Sequence, residues 1–214
     1  MLPPRPYTIS PIMAACDSLA MEPDLLGPGT MPRLSDDVSS LVLPLPFAFQ
    51  YWGSPVTHYS VSSNGFAQLH ASAAGPANSA FNNVAMPNIQ QPNAHVALMW
   101  SDLVPGNMTT SNIRVLTTGM APTRRFTVQW NEFAYLQGGT GPERITFQMQ
   151  LFEMTNVIEM HYCSMLLNGG SMDRITGGIS TIGVENANGT DAVQHSHRTP
   201  GSVFSGQGLR FSPP

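Results

Sequence analysis

Two histidines near the C-terminus have a spacing that suits metal binding. His195 and His197 are separated by one residue, so on a β-strand both imidazoles would lie on the same face. Zinc and iron sites use such pairs, but the fold must then supply a further ligand. The candidates for that ligand are His70, His95 and His161. The alternative is that the pair is simply two polar side chains beside a loop.

Aspartates indicate a second kind of metal site. Asp36 and Asp37 are adjacent, and Asp102 follows an apolar, strand-like run. Carboxylate oxygens are ligands that calcium prefers. Calcium is therefore the one cofactor for which the sequence offers oxygen ligands, and we expect no other cofactor. The alternative is that Asp36 and Asp37 are ordinary turn residues.

Sequence motifs for catalysis are missing. No Gly-x-Ser-x-Gly segment occurs. His161 and Cys163 would be neighbours on one face of a strand, which allows a Cys-His dyad. Two distant cysteines in a turn-rich chain favour a Cys16–Cys163 disulfide instead, with two buried thiols as the alternative. Glycosidase chemistry needs two facing carboxylates, and a pair cannot be chosen among Glu132, Glu143, Glu153, Glu159 and Glu185. We predict that the chain is not an enzyme.

The elements that must position these residues are strands. Phe126, Val128 and Trp130 alternate with polar residues, and Asn64-Gly65 separates two alternating runs in the manner of a hairpin turn. The pattern predicts about nine or ten strands, one of them over residues 176–185, with a glycine-rich turn at residues 137–142. The fold class is therefore all-β, an antiparallel, jelly-roll-like β-sandwich.

Composition divides the chain into an arm and a sandwich. Residues 1–40 are rich in proline and predict an irregular arm, and residues 41–214 predict the sandwich domain. We expect the arm to dock in an extended conformation on a sheet face, either its own or a neighbour's. Only 10% of the residues are charged, and the basic ones form no stripe, so nucleic acid is not an expected partner. No apolar run is long enough to span a membrane.

Several short motifs resemble a known β module. In chain order they are Leu45–Gly53, Val61–Gly65 (Val-Ser-Ser-Asn-Gly), His95–Leu103 (ending Trp-Ser-Asp-Leu), Arg124–Trp130, Thr146–Phe152 and Thr181–Thr190. The set resembles a module of secreted bacterial multidomain proteins that is distantly similar to nidogen-type and plexin-domain-containing extracellular domains. The resemblance implies a noncatalytic β domain outside the cell and names no active-site residues.

Taken together, these features predict a noncatalytic structural or adhesion module that is extracellular or at the cell surface. It would bind a protein partner or assemble with itself through loops, sheet edges and the arm. Carbohydrate binding is the alternative, with Tyr51, Trp52 and Tyr135 as loop aromatics that contact a glycan. Hydrolysis of glycans is a second alternative.

Overall fold

Two antiparallel β-sheets pack face to face in the computed structural model, which describes residues 7–136, 143–167 and 170–214. The predicted all-β sandwich is confirmed. The glycine-rich turn expected at residues 137–142 and the first six residues of the arm lie outside the described residues.

Sheet A consists of β1 (Thr8–Met13), β6 (Leu103–Pro105), β7 (Asn112–Thr118), β8 (Arg125–Tyr135), β9 (Arg144–Phe152), β10 (Ile158–Leu166) and β13 (Gln207–Ser212). Its spatial order is β1-β13-β10-β9-β8-β6, and β7 also pairs with β8. Sheet B consists of β2 (Leu43–Tyr51), β3 (Ser54–Ser62), β4 (Phe66–His70), β5 (His95–Trp100), β11 (Thr181–Glu185) and β12 (Ala192–His197). Its spatial order is β12-β11-β5-β4-β3-β2.

Strands that follow one another along the chain mostly pair within one sheet. β2 to β5 form one meander, and β7 to β10 form another. A jelly roll is instead built from two Greek keys. The order is therefore meander-like rather than the jelly-roll-like order that we expected.

Alternating apolar side chains fill the space between the sheets. The inward residues of β9, namely Ile145, Phe147, Met149 and Leu151, have no solvent exposure. Three core aromatics also join sheet A to sheet B by hydrogen bonds. Trp130 Nε1 donates to Ser62 O (2.8 Å), Tyr162 Oη donates to Leu98 O (3.0 Å), and Tyr135 Oη lies 3.0 Å from Ser180 Oγ. Buried Trp and Tyr side chains need such partners.

The arm docks on its own sheet. Thr8–Met13 pairs with β13 at the edge of sheet A, so this part of the arm is a strand and not irregular. Pro11 hides the strand from pattern analysis, but an edge strand tolerates proline. The next residues cross the outer face of sheet A, and Cys16 forms a disulfide with Cys163 of β10 (Cα–Cα 5.9 Å).

Side chains of sheet A supply the hydrogen bonds of the crossing arm. Asp17 N–H donates to Gln148 Oε1 (2.9 Å), and Gln148 Nε2 donates back to Asp17 O (2.7 Å). Gln150 Nε2 donates to Ala15 O (3.0 Å), and Ala15 N–H donates to His161 Nδ1 (3.1 Å). The arm backbone is thus satisfied without regular strand pairing.

The loop between β4 and β5, residues 71–94, covers the outer face of sheet B, and we call it the strap. Its Met86 packs in a small apolar cluster with Phe66 and Trp100 of sheet B. Polar side chains of sheet B bind its backbone. These contacts are Trp100 Nε1 to Ala80 O (2.8 Å), Thr181 Oγ1 to Val84 O (2.9 Å), Met86 N to Gln194 Oε1 (2.7 Å) and Asn88 N to Glu185 Oε1 (2.6 Å).

The strand prediction needs two further corrections, and its hairpin at Asn64-Gly65 is confirmed. Thirteen strands lie in the described residues, because the edge strand β1, the three-residue β6 and the half-exposed β12 have weak alternation. The predicted strand over residues 176–185 is real only at Thr181–Glu185, since Arg174–Gly178 is a short π-helical turn. Ser62 pairs with Phe66, so the hairpin loop has three residues, and Gly65 supplies its positive φ of 76°. No helix in the described residues has the length and apolarity needed to cross a bilayer.

The hairpin loop generates the first prediction. Gly65→Ala should destabilise the fold by roughly 3 kcal/mol or more, because a Cβ there would lie 2.5 Å from Met99 O as well as at positive φ. Gly201 has φ 74° and nothing within 4 Å of its Cβ position. Gly201→Ala should cost only about 1 kcal/mol. Urea denaturation measures both, and equal losses would contradict the close approach.

The disulfide generates the second prediction. The bond closes a loop across 147 positions of sequence. Replacing Cys16 and Cys163 together by serine should lower the free energy of unfolding by about 2–4 kcal/mol while the far-UV circular dichroism spectrum stays β-type. Reduction of the wild-type protein should reproduce this loss. An unchanged denaturation midpoint would mean that the bond does not constrain the chain.

Candidate functional site

Asn64 gathers three segments of the chain at one end of the sandwich. Its carboxamide oxygen accepts a hydrogen bond from Leu103 N–H (2.9 Å). Its amide nitrogen donates to Asp37 Oδ1 (2.7 Å) and to Ser79 O (2.8 Å). Asn64 is fully buried. The hairpin loop therefore connects the arm, the β5–β6 turn and the strap, and we call this region the aspartate end.

Three carboxylates meet at the aspartate end. Asp36 and Asp37 are exposed, Asp102 is half-buried, and one oxygen of each lies within 4.8 Å of the others. Calcium–oxygen distances of about 2.3–2.6 Å allow two ligands of one ion to be up to about 5 Å apart. Asp102 Oδ1 is buried and has no hydrogen-bond partner among the described residues. This donor set fits calcium.

Burial, and after it the charge of neighbouring carboxylates, disfavours the ionised forms of Asp36 and Asp102. Burial, together with the negative charge of Asp37, raises the pKa of Asp36. Burial raises the pKa of Asp102, and the charges of Asp36 and Asp37 raise it further. A bound divalent cation would reverse this effect, because opposite charge favours the ionised form.

Two clefts flank the carboxylates and share Phe81 of the strap. One has a volume of about 110 Å³ and is lined by Asn83, Asp102 and Arg198 among others. The other, of about 420 Å³, lies along Asp37 and residues 77–81. Arg198 Nε donates to Asn83 Oδ1 (3.0 Å), which fixes the wall of the smaller cleft. The aspartate end thus combines anionic, cationic, amide and aromatic groups.

The predicted loop aromatics lie elsewhere, and two of them are buried. Tyr51 Oη donates to His95 O (2.8 Å) and Glu185 O (2.9 Å) within sheet B. Tyr135 lies in β8 with the Arg174 guanidinium 5.4 Å from its ring centre. Both residues lie in strands rather than loops and are buried, although Tyr51 also lines the cleft beside Trp52. Glycan binding by these aromatics stays a prediction. Each aromatic body fills the core and its hydroxyl finds a polar partner.

Trp52 is the most exposed of the predicted aromatics, and it lines a surface cleft together with Tyr51. It is half-buried in the β2–β3 turn, at the end of the sandwich opposite the aspartate end, and its ring packs edge-on against Tyr7 at 5.3 Å. The cleft beside it has a volume of about 230 Å³, and its polar lining includes Ser54, Asn186 and Asn188. One half-buried aromatic, with the edge of the buried Tyr51 and nearby amides, is a modest platform for a sugar.

His195 and His197 have different hydrogen-bond partners and do not act as a pair. A bulge in β12 places Ser196 opposite Ile182 and Gln194 opposite Gly183, so His195 is the extra residue. His195 Nε2 lies 2.9 Å from Ser202 O, and His197 Nδ1 lies 2.8 Å from Thr181 Oγ1. In the part of the chain that the structure describes, only the three aspartates form a group of three or more such ligands.

The candidate catalytic groups each have a structural partner. Cys163 is in the disulfide, and His161 Nε2 faces Glu159 Oε2 at 3.0 Å. The five glutamates are held separately: Glu132 by Thr110, Glu143 by Arg174, Glu153 by Arg124, Glu159 by Arg210 and Glu185 by Asn88. Each glutamate is thus engaged in a contact of its own, and none of these contacts joins two glutamates.

Sequence reasoning missed Asn64, Asn83 and Arg198 as site residues. Asn64 was assigned only to turn geometry, and the Asn-rich loop gave no sign that Asn83 donates both to Trp100 O (2.7 Å) and to Ile179 O (2.6 Å). Buried asparagines that bind backbone carbonyls look in sequence like ordinary loop residues.

The aspartate end generates a metal-binding prediction. Calcium at about 100 times its dissociation constant should stabilise the wild-type protein by about 2.7 kcal/mol, seen as a higher melting temperature. Asp102→Asn should abolish this gain. Without calcium the same variant should be slightly more stable than the wild type, because it removes carboxylate repulsion. Asp173→Asn, an exposed change elsewhere, is the control and should keep the calcium response. An equal response in both variants would contradict the site.

A family model described as NIDO related matches residues 24–209, from within the arm to β13. No curated protein and no solved structure matches the chain. The narrower resemblance to a module of secreted bacterial proteins stays a prediction. Because the match covers most of its length, the chain belongs to the nidogen-related (NIDO related) family.

Proposed function

We propose that the chain is an extracellular adhesion or recognition module that binds a protein partner at its aspartate end with the help of calcium. Nidogen-related domains are typically noncatalytic, and the membership of this chain in that family suggests protein interaction in general. The family and the disulfide are compatible with an extracellular location. Partner, adhesion and calcium are the parts that we add.

One observation supports this choice most. The three carboxylates, the two clefts and Phe81, which is 40% exposed, occur together at one end of the sandwich. The arm and the strap already occupy the outer sheet faces, so a partner has better access to loops at the ends. Binding residues are often placed on loops that a rigid scaffold positions.

The chemistry of the site indicates what a partner must offer. A calcium ion held by three aspartates keeps open positions, which a carboxylate, hydroxyl or carbonyl of the partner could fill. Phe81 could bury its ring against an apolar side chain beside that group. Such a small aromatic centre with a polar surround is the usual anatomy of a binding hot spot.

A binding experiment tests the proposal. Fluorescently labelled protein is applied, with calcium, to intact cells and to extracellular material of its source. We expect saturable binding that Phe81→Ser weakens about tenfold, equivalent to about 1.4 kcal/mol, and that Asp102→Asn weakens as well. Ile89→Ser is the matched control, because Ile89 is an exposed apolar residue on the same strap near Asn88. Binding that ignores calcium and tolerates both aspartate-end variants would overturn the proposal.

Carbohydrate binding is the second candidate, and the cleft beside Trp52 favours it. Its aromatic wall and its asparagine and serine lining suit a sugar ring and its hydroxyls. A glycan array distinguishes the two functions. Binding to a defined glycan that Trp52→Ala abolishes and Phe81→Ser leaves unchanged would favour the second candidate.

A further inference from the structure

Three polar side chains form a row under the strap, on the outer face of sheet B. Gln68 of β4 is paired in register with His95 of β5, and His95 Nδ1 lies 3.4 Å from Glu185 Oε2 of β11. Their exposed fractions are 3%, 0% and 1%. We call these residues the polar row. Burial of two titratable groups in a noncatalytic domain requires an explanation.

Both ends of the polar row bind the strap. Glu185 Oε1 accepts a hydrogen bond from Asn88 N–H (2.6 Å), and Gln68 Nε2 donates to Asn93 O (3.1 Å). Between them the His95 ring lies edge-on to Trp100, 5.1 Å between ring centres. Both ring nitrogens of His95 and Gln68 Oε1 are buried without a hydrogen-bond partner among the described residues, and Glu185 Oε2 at 3.4 Å is the polar atom that faces Nδ1. The hydrogen bonds that the polar row can form therefore depend on which of its atoms carry protons.

One proton shared by Glu185 and His95 suits this geometry. Burial raises the pKa of Glu185 to about 7, although the Asn88 hydrogen bond opposes the change. Burial lowers the pKa of His95 to about 3. Below about pH 7 the carboxyl of Glu185 therefore holds the proton and can donate it to His95 Nδ1. Loss of the proton leaves a buried negative charge beside a neutral imidazole and apolar rings, which is costly.

The neighbours of Glu185 provide no compensating cation. The strap contains no Asp, Glu, Lys, Arg or His. His70 of β4 is bonded to Ser60, and on β12 His195 and His197 are bonded to Ser202 and Thr181. From β2, the Tyr51 hydroxyl binds the main-chain carbonyls of His95 and Glu185. Among the described residues no arginine forms an ion pair with Glu185.

We propose that Glu185 and His95 form a proton-dependent latch that holds the strap on sheet B and loosens when the pair loses its proton. The Asn88–Glu185 bond and the Gln68–Asn93 bond are the points of attachment. Ionisation of Glu185 strengthens its bond to Asn88 N–H, but burial of the charge outweighs that gain, and the cost of burial is relieved only when the strap lifts and water reaches the carboxylate. Loosening would remove Met86 of the strap from the apolar cluster and expose Phe66 and Trp100 of sheet B. The latch does not rest on the proposed function, but the strap that it holds also carries Phe81 of the aspartate end.

The direction of the pH effect follows from the raised pKa. The folded protein holds the Glu185 proton up to about pH 7, whereas the unfolded chain releases it near 4.5. The contribution of Glu185 to stability is therefore full below about pH 4.5 and is lost as the pH rises through about 7. The lowered pKa of His95 changes the free energy of unfolding mainly on the acidic side of this pH range. That effect cancels when the wild type is compared with Glu185→Gln, because both proteins retain His95.

Hydrogen exchange of the strap tests the latch. Exchange rates of strap peptides, corrected for the intrinsic effect of pH, are compared at about pH 6 and about pH 8.5. In the wild type we expect strap protection to fall about tenfold over this range. In Glu185→Gln it should stay constant, because the amide oxygen can accept from Asn88 N–H and the amide nitrogen can donate to His95 Nδ1. Glu159→Gln, on the outer face of sheet A, is the matched control and should behave like the wild type.

Two results would overturn the latch: wild-type protection that does not change with pH, or an equal change in Glu185→Gln. If that variant does not fold, carbon NMR of the wild-type Glu185 carboxyl replaces it. The latch requires the carboxyl titration and the change in the Asn88 amide shift to share a midpoint near neutrality. A carboxyl midpoint below about 5, or an Asn88 amide that does not follow it, would also overturn the latch.

Discussion

The constraint on which the rest of the structure depends is the hydrogen bonding of two long segments that cross the sheets. The arm over sheet A and the strap over sheet B both contain prolines and asparagines and have little regular pairing of their own. Buried backbone groups must nevertheless find partners, since an unpaired one costs roughly 1–3 kcal/mol. Each sheet meets this need with polar side chains on its outer face.

This constraint explains why polar residues are buried on the outside of the sandwich. Gln148 and Gln150 alternate with core residues of β9, as in a strand with one solvent-exposed face. Both are nevertheless buried, because the arm lies on them. Gln68, His95 and Glu185 are the corresponding residues of sheet B. A chain with only 10% charged residues cannot solvate two broad sheet faces in the ordinary way, and covering them with its own backbone is consistent with that composition.

The sequence was informative wherever one periodicity decided the outcome. The strands β8 and β9 follow from strict alternation, and the hairpin loop follows from Asn64-Gly65. Prediction failed where a residue's role depends on a distant partner. Tyr51 and Tyr135 have the composition of ligand aromatics, but the fold places both rings in the core. The three aspartates were named as calcium ligands from their chemistry alone, whereas their meeting depends on Asn64, whose side chain has contacts 27 and 39 positions away. Alternation carries no information about such contacts.

Asn64 also determines how rigid each part of the aspartate end can be. Asp37 and Leu103 bind the side chain of a residue in the tight loop between β3 and β4, so Asp37 and the turn that carries Asp102 are held almost as firmly as the sheet itself. Phe81 belongs to the strap, whose position depends on side-chain bonds to Trp100, Thr181 and Glu185. Asp37 and the residue after Asp102 are thus fixed by one buried side chain, which would reduce the entropic cost of holding a cation there. Phe81 lies between two fixed points of the strap, since Ser79 O is bound by Asn64 and Asn83 by Trp100 O and Ile179 O.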